Sequence, residues 1–309
     1  MIRTGPEAAA ERDHVGPPLT PNGHGVSAVV MESVQTAGGQ APLPIVPPQS
    51  ERAFGAWTRH SLIQCKRLLL VWVRDPATTI QTLIYPALTL LMLRVVLGDS
   101  ITRATGIPSE YGTVPMITLV AAMSGAVVSA LGFKNEQYTG LLGRLWTMPV
   151  HRAAGLTGRL LAEAIRVLIT TLFVIAVGCC IGFRFWNGPL ASLAMIAIPV
   201  LFGVAFAVLV TALATVSGGV MLVNIVAIVN TLLMFFNSGF VPTTVYPTWM
   251  QSTVANQPMS TAIDAMRGLS WDGAVTLPLL KTLAWTLGAI VVFAYPAIRG
   301  YRRAAESSG

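Results

Sequence analysis

The sequence predicts an all-α membrane protein. It should have six transmembrane helices, an amphipathic helix in the membrane interface before them, and short re-entrant outer helices before the last span. Three observations carry that expectation. Of 309 residues, 53% are hydrophobic and only 11% charged, where soluble domains carry about 25% charged residues. Six apolar runs, roughly 78–97, 112–131, 160–183, 190–215, 219–241 and 275–298, each reach about the length a helix needs to cross a bilayer. The cations outside the spans and the N-terminal tail are lopsided. Arg52, Arg59, Lys66, Arg67, Arg74, Lys134, Arg144, Arg152, Arg159, Arg299, Arg302 and Arg303 fall in alternate segments, against Arg103, Arg184 and Arg267 in the others. Basic residues mark the cytoplasmic face. Twelve against three therefore predicts an even number of spans in the cell membrane, with both termini cytoplasmic.

Residues 1–50 hold eight of the 20 prolines, show no sustained periodicity and lack the continuous apolar core of a signal peptide. Such a segment cannot bury enough apolar surface to fold alone, so a disordered cytoplasmic tail is expected, either passive or partner-binding. Residues 51–75 are different. Phe54, Trp57, Ser61, Cys65, Leu68 and Trp72 share one helical face, with Arg52, Arg59 and Lys66 opposite. A basic face opposite a Trp-anchored apolar face fits a helix lying in the membrane interface, or one packed on protein. The six-span domain then runs over 76–303, and 304–309 is a C-terminal tail.

Within the spans, Pro86 and Pro199 predict kinks. Ala122, Ala126 and Ala130 in the second span, and Gly178 and Gly182 in the third, predict close helix packing. Ser217, Gly218 and Gly219 separate the fourth and fifth runs. Asn230, Met234 and Asn237 of the fifth run are candidates for a substrate path, although interhelical hydrogen bonding explains the asparagines equally well. The segment 242–273 is too polar to span and is broken by Pro242, Pro247 and Pro258; Trp249 and Arg267 also belong to it. Met259, Ala262, Ile263, Met266 and Leu269 form one stripe, with Ser260 as cap and Gly268 as stop. Short helices dipping into the outer leaflet are expected, or else a folded extracellular cap.

The stretch 133–159 is a polar, basic island between the second and third runs. Leu141, Leu142, Leu145, Trp146 and Met148 recur at helical spacing and Pro149 ends the pattern. A short helix here, about 136–149, could hand motion from a soluble machine to the spans; a solvated loop is the other reading.

Enzyme chemistry is not written into this chain. Outside the tail only His60 and His151 occur, and HExxH, CxxC and GxSxG are absent. Glu163 near the start of the third span has Arg159 four residues before and Arg166 three after, which predicts a locally neutralised ladder. Lys66, Lys134 and Lys281 sit in no phosphate-binding loop, so if ATP powers the protein another chain binds it.

The order of these parts resembles the ABC-2 type permease family, the membrane subunits of many ABC exporters. The resemblance runs from Phe54 to Arg303. It is carried by the basic helix ending Arg74-Asp75-Pro76, by Glu136, Gly140, Leu145 and Pro149, and by FVPTTVYPTWMQSTVANQPMSTAIDAMRG from Phe240 to Gly268. LLGRLWTMPVHRAAGLTGR and IGFRF look like the daunorubicin-resistance (DrrB/DrrC) permeases, most like mycobacterial DrrC-type permeases. The resemblance implies a coupling helix at about 136–149, with Glu136, Gly140, Arg144, Leu145, Pro149 and Arg74 meeting an ATPase. It implies a separate DrrA-like nucleotide-binding subunit that holds ATP and magnesium, no cofactor in this chain, and no nucleic-acid partner. A DrrB-like second permease, or a second copy of this chain, would complete the pore among membrane lipids. The implied cargo is a complex cell-envelope lipid such as phthiocerol dimycocerosate, or an anthracycline-like drug. Polysaccharide export and a membrane-embedded lipid-metabolism enzyme are the competing readings.

Overall fold

The computed structural model describes residues 54–143, 153–216 and 219–307. The 1–50 tail, Arg144, Leu145 and Pro149 lie outside the described residues, as do Ser217 and Gly218. The described chain is helical throughout: α1 Phe54–Arg74, α2 Pro76–Thr105, α3 Glu110–Tyr138, α4 Ala154–Cys180, α5 Gly188–Val216 and α6 Gly219–Phe235. A 3-10 turn at Thr243–Val245 follows, then α7 Thr248–Asn256, α8 Pro258–Ser270 and α9 Thr276–Ser307. The last helix takes in most of the expected C-terminal tail.

Asp75 caps α2. Its carboxylate accepts from the Thr78 amide at 3.3 Å and the Thr78 hydroxyl at 2.5 Å, and Pro76 fills the first helical position. These bonds hold the Asp75 carboxyl below its ordinary range. Gly106, at φ 72°, closes the other end in the left-handed region.

Five helices, α2, α3, α4, α5 and α9, are long and apolar enough to cross a membrane. The expected fifth span differs. Its apolar run continues to residue 241, but α6 stops at Phe235 after 17 residues, about 25 Å at ~1.5 Å per residue. The cause is Asn237, whose side chain donates to the Leu233 carbonyl at 3.1 Å and to that of Met234, while its Oδ1 accepts from the Gly239 amide at 2.7 Å. The side chain takes up the bonds that the next helical turn would have made.

α3 is the central helix, touching α2, α4, α5, α6 and α8. Small residues allow the approach. A Cβ on Gly203 of α5 would lie 3.2 Å from Ala122 Cβ, and one on Gly178 of α4 would lie 3.0 Å from Val114 Cγ2. Gly182, expected to extend that pairing, lies beyond the end of α4 at φ 117° and serves the turn instead.

Helix α1 forms as expected, but the face carrying Ser61, Cys65 and Trp72 is buried and the helix packs along α4. A Cβ on Gly158 of α4 would come within 2.8 Å of the Ser61 carbonyl, so the two backbones touch. Leu62, Ile63, Val71 and Val73 remain exposed on its other side. α8 is drawn inward: the stripe Met259, Ala262, Ile263, Met266 and Leu269 is buried among α3, α5 and α9. Gln257, not Ser260, precedes its first turn, and Pro258 opens the helix. Ser260 instead accepts from the Gln257 side chain at 3.0 Å and the Ser238 amide at 3.2 Å. Gly268 is not the stop; it sits within the helix, where a Cβ would lie 3.0 Å from the Ala274 carbonyl. Tyr111, Trp186 and Trp271 clamp this end, with Trp186 Nε1 donating to the Tyr111 hydroxyl at 2.8 Å.

Candidate functional site

Glu136 stands in the last turn of α3, where a helix C-terminus disfavours negative charge. Two guanidinium groups offset that. Arg67 of α1 donates to its Oε1 at 2.5 Å, and Arg159 of α4 donates to its Oε2. Arg159 is 4% exposed, Glu136 14% and Arg67 32%, so the bridge runs from protein interior to surface. Arg159 also donates to the Ser129 carbonyl at 2.9 Å, and its guanidinium carbon lies 5.4 Å from the centroid of the Phe133 ring. Phe133 stacks on Tyr301 of α9 at 5.3 Å. One carboxylate thus ties α1, α3 and α4 together, and Arg159 extends the contact to α9.

Local geometry explains why Glu136 ends a helix instead of opening one. Thr139 donates from its amide to the Asn135 carbonyl at 3.0 Å, and Gly140 turns the chain at φ 69° with its amide on the Gln137 carbonyl. Residues 141–143 are helical again. The single helix expected over 136–149 is therefore interrupted at Gly140. Arg74 is exposed at the end of α1, with no ion pair among the described residues.

The Glu163 ladder also resolves differently. Arg166 donates to Glu163 and to the Gly125 carbonyl, while Arg159 is committed to Glu136. The spacing around Glu163 could not reveal that competition, because the winning carboxylate is on another helix.

Of the candidate path residues, Asn230 and Met234 line one cavity of about 390 Å³ between α2, α3 and α6, with Tyr85, Thr89 and Ser124. Asn237 is not with them; it is buried at the α6 terminus in the capping role described above. In the outer segment, Pro242 precedes the 3-10 turn, Trp249 is 77% exposed on α7, and Pro258 begins α8. Arg267 donates to the Ser238 carbonyl at 2.6 Å and to Asp264 at 3.4 Å, and Ser238 donates to Asp264 at 2.7 Å. Burial pushes the Asp264 carboxyl up and the Arg267 guanidinium down. Asp264 and Ser238 were not among the sequence candidates, and Arg67 was read only as one of the cations at the basic end. Arg67 and Glu136 are 69 residues apart, so no local periodicity links them.

Residues 62–271 match the ABC-2 type transporter family. A Mycobacterium tuberculosis protein named probable doxorubicin resistance ABC transporter permease protein DrrC is 42% identical over 257 residues, covering 83% of this chain and 93% of that one. The daunorubicin resistance ABC transporter permease protein DrrB1 of Streptomyces coeruleorubidus is 27% identical over 239 residues, 76% of this chain and 83% of that protein. A putative transport permease, ycf38, of Porphyra purpurea is 26% identical over 245 residues, 75% and 81% of the two chains. The family match covers more than half of the chain, and the bundle of apolar helices around α3 agrees with it: this multi-pass membrane protein belongs to the ABC-2 type transporter family of permeases.

Proposed function

We propose that this chain is the permease subunit of an ATP-driven exporter that moves a hydrophobic or amphipathic substrate outward. The substrate class is a complex envelope lipid or an anthracycline-like drug, the latter in keeping with the relatives named for doxorubicin and daunorubicin resistance. A separate DrrA-like ATPase binds ATP and magnesium, and a DrrB-like permease or a second copy of this chain completes the pore. The basic end of the bundle faces the cytoplasm. The ATPase docks there on the segment from Glu136 through Gly140 to Arg144, Leu145 and Pro149, beside Arg74. Short α6, together with the residues up to Val241, makes the fifth of six crossings. Asn230 and Met234 face the substrate path, and the 242–273 segment forms its outer closure.

The observation that carries this reading is the carboxylate of Glu136 held between Arg67 and Arg159. A push on the chain just after Gly140 reaches α1, α3 and α4 together through that junction, so the helices move as a body and not one at a time. Reconstitution with the ATPase should give substrate-stimulated, vanadate-sensitive hydrolysis. Glu136→Lys should uncouple or release the ATPase while the spans stay inserted. Assembly and export that both survive this change would sink the coupling role.

A further inference from the structure

The 390 Å³ cavity that holds Asn230 and Met234 stops short of the outer end of the bundle. Going outward, it reaches Met234 on α6, Thr89 on α2 and Ile117 on α3. A small cavity of about 30 Å³ begins further out, between Ile101 and Thr105 of α2, Ser109 and Gly112 of α3, and the chain from Ser238 to Phe240. No residue lines both spaces. The chain between them holds Leu90 of α2, Thr113 and Met116 of α3, and residues 237–239, all of them buried. Along α6, by contrast, Leu222 and Val226 are the buried positions among the described side chains. The chain is lightly held beside the cavity and closely held in the turn just past it.

Two different kinds of contact hold that turn. On the α3 side it is seated backbone to backbone: a Cβ on Gly112 would lie 2.2 Å from the Gly239 carbonyl oxygen, and one on Gly239 would lie 3.0 Å from Met116 Cβ. Only glycine at position 112 admits the turn this closely. On the other side α8 clamps it. Ser260, Asp264 and Arg267 follow one another at i, i+4 and i+7 and so share a helical face. Ser260 Oγ accepts from the Ser238 amide at 3.2 Å, Asp264 accepts from the Ser238 hydroxyl at 2.7 Å, and Arg267 donates to the Ser238 carbonyl at 2.6 Å. Every polar group of Ser238 is thereby engaged by α8. The Tyr246 hydroxyl adds a bond to the Asn237 carbonyl at 3.2 Å. Hydrogen bonds can be exchanged for water at modest net cost, whereas pulling an interlocked apolar side chain from its socket leaves a cavity. A smooth glycine seat with a polar clamp suits a part that leaves and returns.

We propose that the turn 237–239 is a gate across the outer end of the substrate path, latched by Ser260, Asp264 and Arg267 of α8. Cargo in the 390 Å³ cavity passes outward when the turn lifts off Gly112, and α8 sets how readily it lifts. This gate rests on the reading that Asn230 and Met234 face the substrate path. Within that reading, the barrier falls ahead of the 242–273 segment, and α8 supplies its latch.

The test uses the full chain in right-side-out membrane vesicles, with Cys65, Cys179 and Cys180 replaced by alanine. A membrane-impermeant cationic methanethiosulfonate is added outside, without nucleotide, and the labelling rate of single cysteines is measured. Trp249→Cys, exposed on α7, should label fast in every background. Met234→Cys should label slowly while the gate is latched, and its rate follows the fraction of time the turn is open. Ser238→Ala removes the bond to Asp264 and should speed Met234→Cys about tenfold, the worth of one hydrogen bond to a charged group. Gly112→Ala, whose Cβ occupies the seat, should speed it by more. Met195→Cys, fully buried and lining neither cavity, reports the fold and should stay unlabelled throughout. Should Gly112→Ala also expose Met195→Cys, the Ser238→Ala comparison decides alone. Met234→Cys labelling as fast as Trp249→Cys without either gate substitution, or at a rate that Ser238→Ala leaves unchanged, would overturn the gate and leave the export reading standing. Trp249→Cys that does not label from outside would overturn both, because the orientation they share would be wrong.

Discussion

Glu136 makes two ion pairs that the structure separates by burial, and their strengths should separate in the same order. Removing one partner of a buried pair costs about 3–5 kcal/mol, whereas exposed pairs contribute about 0–1 kcal/mol. Arg159 is 4% exposed and Arg67 is 32% exposed. If Glu136 is neutralised, Arg159 keeps the Ser129 carbonyl at 2.9 Å and the face of Phe133, which offset part of the loss. Coupling between Glu136 and Arg159 should therefore come to about 2–3 kcal/mol, and between Glu136 and Arg67 to about 0.5–1 kcal/mol. The assay is a pair of double-mutant cycles using Glu136→Gln with Arg159→Gln and with Arg67→Gln, read by reversible detergent unfolding. Raising the salt concentration should diminish the Arg67 term and leave most of the Arg159 term. A larger coupling to Arg67 than to Arg159, or two couplings below about 0.5 kcal/mol, would refute the junction as a mechanical tie.

Two further outcomes follow from the asparagines and from the outer ion pair. Asn237→Ala should destabilise the fold by about 1–3 kcal/mol because it strands the Gly239 amide. Asn230→Leu should change stability by under about 0.5 kcal/mol, or raise it, since Asn230 Oδ1 has no partner among the described residues. The reverse order in the same unfolding assay would contradict the assignment of cap and cavity. Burial raises the Asp264 carboxyl above the ordinary carboxylate range despite Ser238 and Arg267. A raised folded-state value contributes stability that is complete below the ordinary range and is lost as pH climbs through the raised one. Stability of the parent should fall over that acidic interval, and Asp264→Asn should flatten the fall; superimposable pH profiles would argue against it.

The correspondence between sequence and structure varies from element to element for physical reasons. Helix α1 was readable to within a few residues because its periodicity is local, and Asp75-Pro76 is a helix-start signal that works through adjacent atoms. What its apolar face would meet was not readable, because lipid and the flank of α4 reward the same residues. The α8 stripe was legible for the same reason that α1 was, whereas Ser260 was mistaken for a cap because its partner, Ser238, is 22 residues away. The fifth apolar run looked long enough to span because hydropathy counts composition. The helix ended early because one side chain, Asn237, satisfied the backbone in another way.

The sequence by itself determined the membrane class, the helical architecture, the basic end of the bundle and the positions of most helices. These rest on composition, hydrophobic period and caps, which act over a few residues. Only the tertiary structure decided the partners: Arg159 with Glu136 and not Glu163, Asn230 in a cavity and Asn237 at a cap. A buried charge takes whichever counter-charge the packed helices bring to it, and helix packing here is set by glycines and alanines on separate segments.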